Sequence, residues 1–163
     1  MQKQPKFYTP QESYVRIAAY CAYQERTQQD VREKLQSYGL DEDDVEELIV
    51  RMIQEKFVNE ERFAKAYAGG RFRQKKWGRI KIKLALKAQG LSPYCVQQGM
   101  NVIDPDEYWQ NLLHLAEKKN AVEKEPNPLL RKQKIARFLM GKGYEQDLVW
   151  EAIEMVNGKE SER

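Results

Sequence analysis

Apolar residues recur at helical spacing along nearly the whole chain, and capping signals cut the pattern into nine segments. Thr9-Pro10-Gln11-Glu12 reads as a helix start, with Thr as N-cap, Pro in the first turn and Glu completing a capping box. Tyr14, Ile17, Ala18, Cys21 and Ala22 then give one apolar face to about residue 25. Thr27 with Asp30 opens a second helix carrying Val31, Leu35 and Tyr38, and Gly39 stops it. A third starts at Asp41 to Asp44 and turns Val45, Leu48, Ile49, Met52 and Ile53 inward. Asn59 caps a fourth, with Phe63, Ala66, Tyr67 and Gly70 on its face. Ser92-Pro93, Asp104-Pro105 and Asn127-Pro128 open the sixth, seventh and eighth, and residues 145–156 form the ninth through Val149, Ile153 and Val156. The residues before Thr9 read as a loose leader, and those from Asn157 as a frayed tail.

The fifth segment, Gly78 to Lys87, is ambiguous. Ile80, Ile82, Leu84 and Leu86 alternate as in a strand. Nothing else in the chain alternates well enough to pair with it, and a lone strand leaves its backbone groups unsatisfied. As a helix, Ile82 and Leu86 share a face and Gly90 ends the segment. The pattern therefore predicts a helix here too.

A repeat turns these segments into an architecture. Val31, Leu35, Gly39, Leu40, Val45 and Ile49 recur as Ile82, Leu86, Gly90, Leu91, Val96 and Met100, and again as Ile135, Leu139, Gly143, Tyr144, Val149 and Ile153. The expected fold is all-α: three tandem three-helix units spanning residues 10–56, 57–103 and 104–157, with residues 1–9 as leader and 158–163 as tail. Each unit joins two helices across a Gly-containing turn, with helix-turn-helix character. Such small units have little core, so they are expected to stack into an elongated, curved body. Gly39, Gly78, Gly90 and Gly143 are assigned to chain geometry, and Trp77, with Phe72, to the joint between units rather than to stacking on bases.

Charge is distributed very unevenly over these units. Residues 62–103 hold ten Lys/Arg and no Asp/Glu, while residues 1–61 carry 8 Lys/Arg against 13 Asp/Glu and residues 104–163 carry 10 against 12. The net charge of +3 conceals a basic middle between two acidic ends. On helices, Arg71 and Lys75 lie one turn apart, as do Arg79 and Lys83, and Lys83 and Lys87. Arg71, Arg73, Lys75, Lys76, Arg79, Lys81, Lys83 and Lys87 are thus the candidate partner- or DNA-binding residues, with Arg131 and Lys132 as a second patch.

Catalytic signals are missing. The acids from Asp41 to Glu47 read as helix-dipole stabilisation, since consecutive positions point apart and a metal needs convergent ligands. His114 has no nucleophile or orienting carboxylate near it in sequence, and no phosphate-binding glycine loop occurs. Cys21 and Cys95 have no metal-ligand spacing and read as buried apolar residues of a reducing cytosol. The N-terminus has no apolar targeting core, and no stretch is long enough to span a bilayer. A non-enzymatic, cytoplasmic, monomeric protein without cofactor or metal is expected.

The run from Phe57 through Asn59, Glu60, Glu61, Arg62, Phe63 and Ala64, then Arg71, Trp77-Gly78-Arg79-Ile80 and Leu86 through Gly90-Leu91, resembles the RecX family of recombination regulators. Val31 to Leu35 with Gly39, and Lys134 through Gly143-Tyr144, carry the flanking parts, so the resemblance covers about residues 14–156. Asn59-Glu60 stands where that family more usually has an acidic pair, and Trp77 precedes the glycine. The resemblance implies tandem three-helix repeats that bind the RecA recombinase filament on single-stranded DNA. Such proteins lie along its groove and reduce its ATPase and strand exchange in DNA repair and the SOS response. It also implies some binding to single- or double-stranded DNA. The alternative is a helix-turn-helix transcription regulator. Its recognition helices would begin Asp41-Glu42-Asp43, Ser92-Pro93-Tyr94 and Glu145-Gln146-Asp147, and two of those three starts are acidic, poor chemistry for a major groove.

Overall fold

The computed structural model describes residues 7–161, with side chains as far as Lys159. Residues 1–6 of the leader and residues 162–163 of the tail lie outside the described part. Within it the helices are α1 (Pro10–Tyr23), α2 (Gln28–Ser37), α3 (Glu42–Gln54), α4 (Glu60–Arg73), α5 (Arg79–Ala88), α6 (Pro93–Met100), α7 (Pro105–Val122), α8 (Pro128–Gly141) and α9 (Gln146–Ser161). The caps are those the sequence marks. Side chains of Thr9, Thr27, Asp41, Asn59, Ser92, Asp104 and Asn127 each accept a backbone N–H of the first turn. Each such cap stabilises its helix by about 1 kcal/mol. The tail differs from expectation, because α9 runs on to Ser161. The leader differs as well: the Tyr8 N–H donates to the Tyr38 carbonyl at 3.0 Å, and the two rings meet edge to face.

Every pair of helices that packs closely lies inside one unit: α1–α3, α4–α6 or α7–α9. Within the second unit α4 and α6 approach closest, because small residues face each other. A Cβ on Gly99 would lie 2.8 Å from the Ala64 carbonyl oxygen. The repeated positions form the cores. Val31, Leu35, Ile82, Leu86, Leu139 and Val149 are fully enclosed. Gly39, Gly90 and Gly143 end their helices in the left-handed region, with φ of 80°, 77° and 100°, where a side chain costs about 1–2 kcal/mol. An accessible surface of 10647 Å² for 19.3 kDa exceeds the roughly 8,500 Å² of a compact monomer, as an elongated array of units requires.

The two joints are unequal. The second and third units share one continuous core, while the first keeps its own, built on Ile17, Leu35, Leu48 and Met52. Aromatic rings fill the joint between units two and three: Phe72 stacks on Tyr108 at 6.4 Å, and Tyr108 meets Tyr144 at 5.1 Å. Phe72 is fully buried there and Trp77 packs half-buried against the same core. Across the joint between units one and two, the one ion pair among the described residues is Arg62 Nε to Glu25 Oε1 at 2.6 Å. Arg62 also donates to the carbonyls of Lys56 and Phe57 in the connecting segment.

The two cysteines are unpaired and differ in setting. Burial pushes the Cys21 thiol up to about 11, whereas Cys95 is half-buried. Because the thiolate is the reactive form, a thiol reagent at neutral pH is expected to label Cys95 in the folded protein and Cys21 only on unfolding. Rapid double labelling under native conditions would contradict this packing.

Candidate functional site

The eight basic candidates of the middle unit fall into two groups. Four are engaged in the structure itself. The guanidinium of Arg71 lies over the rings of Tyr67 and Trp77, at 4.5 and 5.4 Å from their centres, and Lys81 Nζ lies 4.5 Å from that of Trp77. Lys76 adopts a left-handed backbone (φ 57°), and its carbonyl accepts the Tyr144 hydroxyl at 2.7 Å. Arg79 is the most committed. Its N–H donates to the Tyr108 hydroxyl at 3.1 Å, and its guanidinium stacks 3.9 Å above that ring and pairs with Glu145 Oε2 at 2.8 Å.

Tyr108 also donates to Glu145 Oε1, so Arg79, Tyr108 and Glu145 form one network across the joint. Burial, reinforced by that carboxylate, holds the Tyr108 hydroxyl far above the usual phenol range, and it stays a donor at any physiological pH. Arg79 therefore closes the joint through its charge, which is not free for a partner, and Lys76 closes it through its backbone carbonyl, its Nζ reaching Asn111 Oδ1 at 3.5 Å.

Arg73, Lys75, Lys83 and Lys87 make up the second group. All four are exposed, and among the described residues none has an ion pair. Lys83 and Lys87 share the outer face of α5 with Ile80 and Leu84, which are 49% and 63% exposed. The strand-like alternation has a physical explanation here. Ile82 and Leu86 point into the core, while Ile80 and Leu84 alternate with lysines on a helical stripe facing solvent.

The second patch is engaged as well. Arg131 donates to the carbonyls of Asn120 and Glu123 and to Asn120 Oδ1, which caps the C-terminus of α7. Lys132 pairs with Glu154 at 3.1 Å. Neither Arg131 nor Lys132 is an unoccupied cation.

Among the described residues no three His, Cys, Asp or Glu cluster as a metal would need, and no helix is long and apolar enough to cross a membrane. Asp41 caps α3 by accepting the Asp44 N–H at 2.8 Å, and its neighbours fill the first turn. Sequence reasoning missed Tyr20, Arg26 and Glu25, which face the middle unit across the first joint. No local signal marks them, because what brings them there is the packing of one unit beside another.

Three-helix units in series, unequally joined and carrying an unpaired cationic stripe, define an all-α tandem-repeat protein with an open, basic surface. Models of the first, second and third three-helix domains of RecX match residues 14–52, 59–100 and 106–153. The regulatory protein RecX of Clostridium tetani is 32% identical over 136 residues, covering 82% of this chain and 60% of that protein. Its counterpart in Clostridium perfringens strain 13 is 33% identical over 124 residues, or 75% of this chain and 58% of that protein. The crystal structure of RecX from Lactobacillus salivarius shares the fold at a TM-score of 0.81 and 24% identity, covering 91% of this chain and 96% of that one. The chain belongs to the RecX family. It spans about 60% or less of the length of these Clostridium relatives.

Proposed function

We propose that this protein regulates homologous recombination by binding a RecA filament on single-stranded DNA and lowering its ATPase and strand-exchange activity. The observation that carries this reading is the outer face of α5, where unpaired Lys83 and Lys87 stand beside exposed Ile80 and Leu84. A surface made only for phosphates needs no apolar neighbours. Cations interleaved with aliphatic side chains suit a protein surface that is acidic at its rim and apolar within. Membership of the RecX family supports the same partner. In this reading a monomer, made of units at about 10–56, 57–103 and 104–157, works in the cytosol. It lies along the filament groove and hinders the subunit motions that accompany ATP hydrolysis.

The transcription-regulator alternative is weaker on chemistry. A recognition helix needs base-reading side chains at its N-terminal end, yet α3 begins with three acids and Glu145, just before α9, is held by Arg79 and Tyr108. The test is the DNA-dependent ATPase of RecA with increasing amounts of this protein. Inhibition that saturates near filament coverage is expected. No change in ATPase at any ratio, with tight sequence-specific duplex binding instead, would favour the transcription regulator.

A further inference from the structure

Apolar side chains that no core uses gather on the α7–α8 hairpin of the third unit. Val122, Leu129, Leu130, Phe138 and Met140 are all exposed. Leu130, Arg137 and Met140 lie along the outer side of α8, away from buried Ile135, Ala136 and Leu139. The hairpin is also longer than its counterpart, since α7 and α8 have 18 and 14 residues against 14 and 10 in α4 and α5. Cations surround the apolar residues. Lys119 and Lys142 Nζ lie 5.3 and 5.9 Å from the centre of the Phe138 ring, and residues 118–142 hold 8 Lys/Arg against 2 Asp/Glu. Both acids, Glu123 and Glu125, are already paired with Lys119 and Lys134. Arg137 is exposed and has no ion pair among the described residues.

The first unit carries the complement. On α3, Asp43, Glu46, Glu47, Val50 and Ile53 are exposed on the side opposite buried Val45, Leu48, Ile49 and Met52. Residues 41–55 hold 1 Lys/Arg against 7 Asp/Glu. Glu46 pairs with Arg32, but Asp43 and Glu47 have no ion pair among the described residues. Desolvation, with repulsion from Asp41, Glu47 and Asp43, holds the Asp44 carboxyl above its usual range, so the acids here are not neutralised from within.

We infer that the outer face of α8 in one copy docks on the outer face of α3 in a second copy of this chain. Arg137 and the lysines beside it meet Asp43 and Glu47, while Leu130 and Met140 cover Val50 and Ile53. Because α3 belongs to the first unit and α8 to the third, each copy offers one face at each end of its array. The contact is therefore heterologous and builds an open series rather than a closed pair. It leaves the α5 stripe uncovered. A dilute chain stays monomeric, and copies lined up along one filament reach the effective concentration at which the contact forms. The inference goes beyond the recombinase reading, because two copies alone make the contact.

The test is sedimentation velocity of the full chain, without recombinase or DNA, from dilute to about millimolar concentration. A sedimentation coefficient that keeps rising with concentration, and drops as salt is added, is expected. Arg137→Glu and Glu47→Lys each set like charges across the contact and should weaken self-association about tenfold or more. Both positions are exposed, so the circular dichroism of each variant should match the wild type. An equimolar mixture of the two should associate again, because the intact α3 of the first meets the intact α8 of the second. Lys83→Glu with Lys87→Glu, on α5, should associate as the wild type does. A chain that stays monomeric throughout, a plateau at two copies, a mixture no more associated than its components, or loss of association in the α5 variant overturns the inference. If the same chain still inhibits the RecA ATPase, only this inference fails. Normal association by a chain that leaves the ATPase untouched would sink the recombinase reading alone.

Discussion

Replacing Gly78 by alanine is expected to lower stability by roughly 3 kcal/mol or more, near the upper end for overpacking. A Cβ at this position would lie 2.2 Å from the carbonyl carbon of Gly143 and 2.3 Å from both its oxygen and the nitrogen of Tyr144. These are backbone atoms and cannot swing aside as the end of a long side chain could. The approach is close because the Gly78 N–H donates to the Lys142 carbonyl at 2.8 Å and the Ile80 N–H to that of Gly143 at 3.0 Å. Alanine would break both bonds and part the rings of Phe72, Tyr108 and Tyr144 behind them. At about 2–4 °C per kcal/mol for a chain of this size, the midpoint of thermal unfolding followed by circular dichroism should fall by about 6–12 °C. Gly90→Ala is the control. Its backbone, unlike the extended one of Gly78, is left-handed, but nothing lies within 4 Å of the added methyl, so about 1–2 kcal/mol is expected. Equal losses in the two variants would mean that the joint is not closely packed.

Reversing the charge of Arg73, Lys75, Lys83 and Lys87 together, each to Glu, is expected to abolish inhibition of the RecA ATPase while leaving the fold intact. All four are exposed and unpaired, and surface changes of this kind typically shift stability by about 0.5 kcal/mol or less each. Any residual binding to single-stranded DNA should lose about 0.7 from its logarithmic salt slope for each phosphate contact removed. Arg79→Glu makes the instructive comparison, because it sets a carboxylate against Glu145 and Tyr108 and should unfold the joint before any partner is met. Retained inhibition by the fourfold variant, with an unchanged melting temperature, would rule out this face as the contact.

The separation of these two groups of cations was not legible in the chain. In sequence, Arg71, Arg79 and Lys83 look alike along one basic run. Only the fold places Glu145, just before the ninth helix, 2.8 Å from Arg79 and leaves Lys83 without an ion pair among the described residues. Arg131 misled for the same reason: its partners are carbonyls at the end of α7, set by how the α7–α8 hairpin closes. The alternation in α5 was ambiguous because an exposed apolar pair at Ile80 and Leu84 imitates a strand.

What the sequence determined alone was the local plan. Caps, helix-ending glycines and the repeated apolar positions specify nine helices in three units, because capping and burial of one helical face are short-range requirements. The inequality of the joints needed the tertiary structure. Aromatic rings from Phe72, Tyr108 and Tyr144 weld the second and third units into one core, while the first keeps its own and is tied on by polar contacts such as the Glu25–Arg62 ion pair. Which cations stay free follows from that difference. It depends on residues far apart in the chain being brought to hydrogen-bond distance, and no local pattern encodes such a distance.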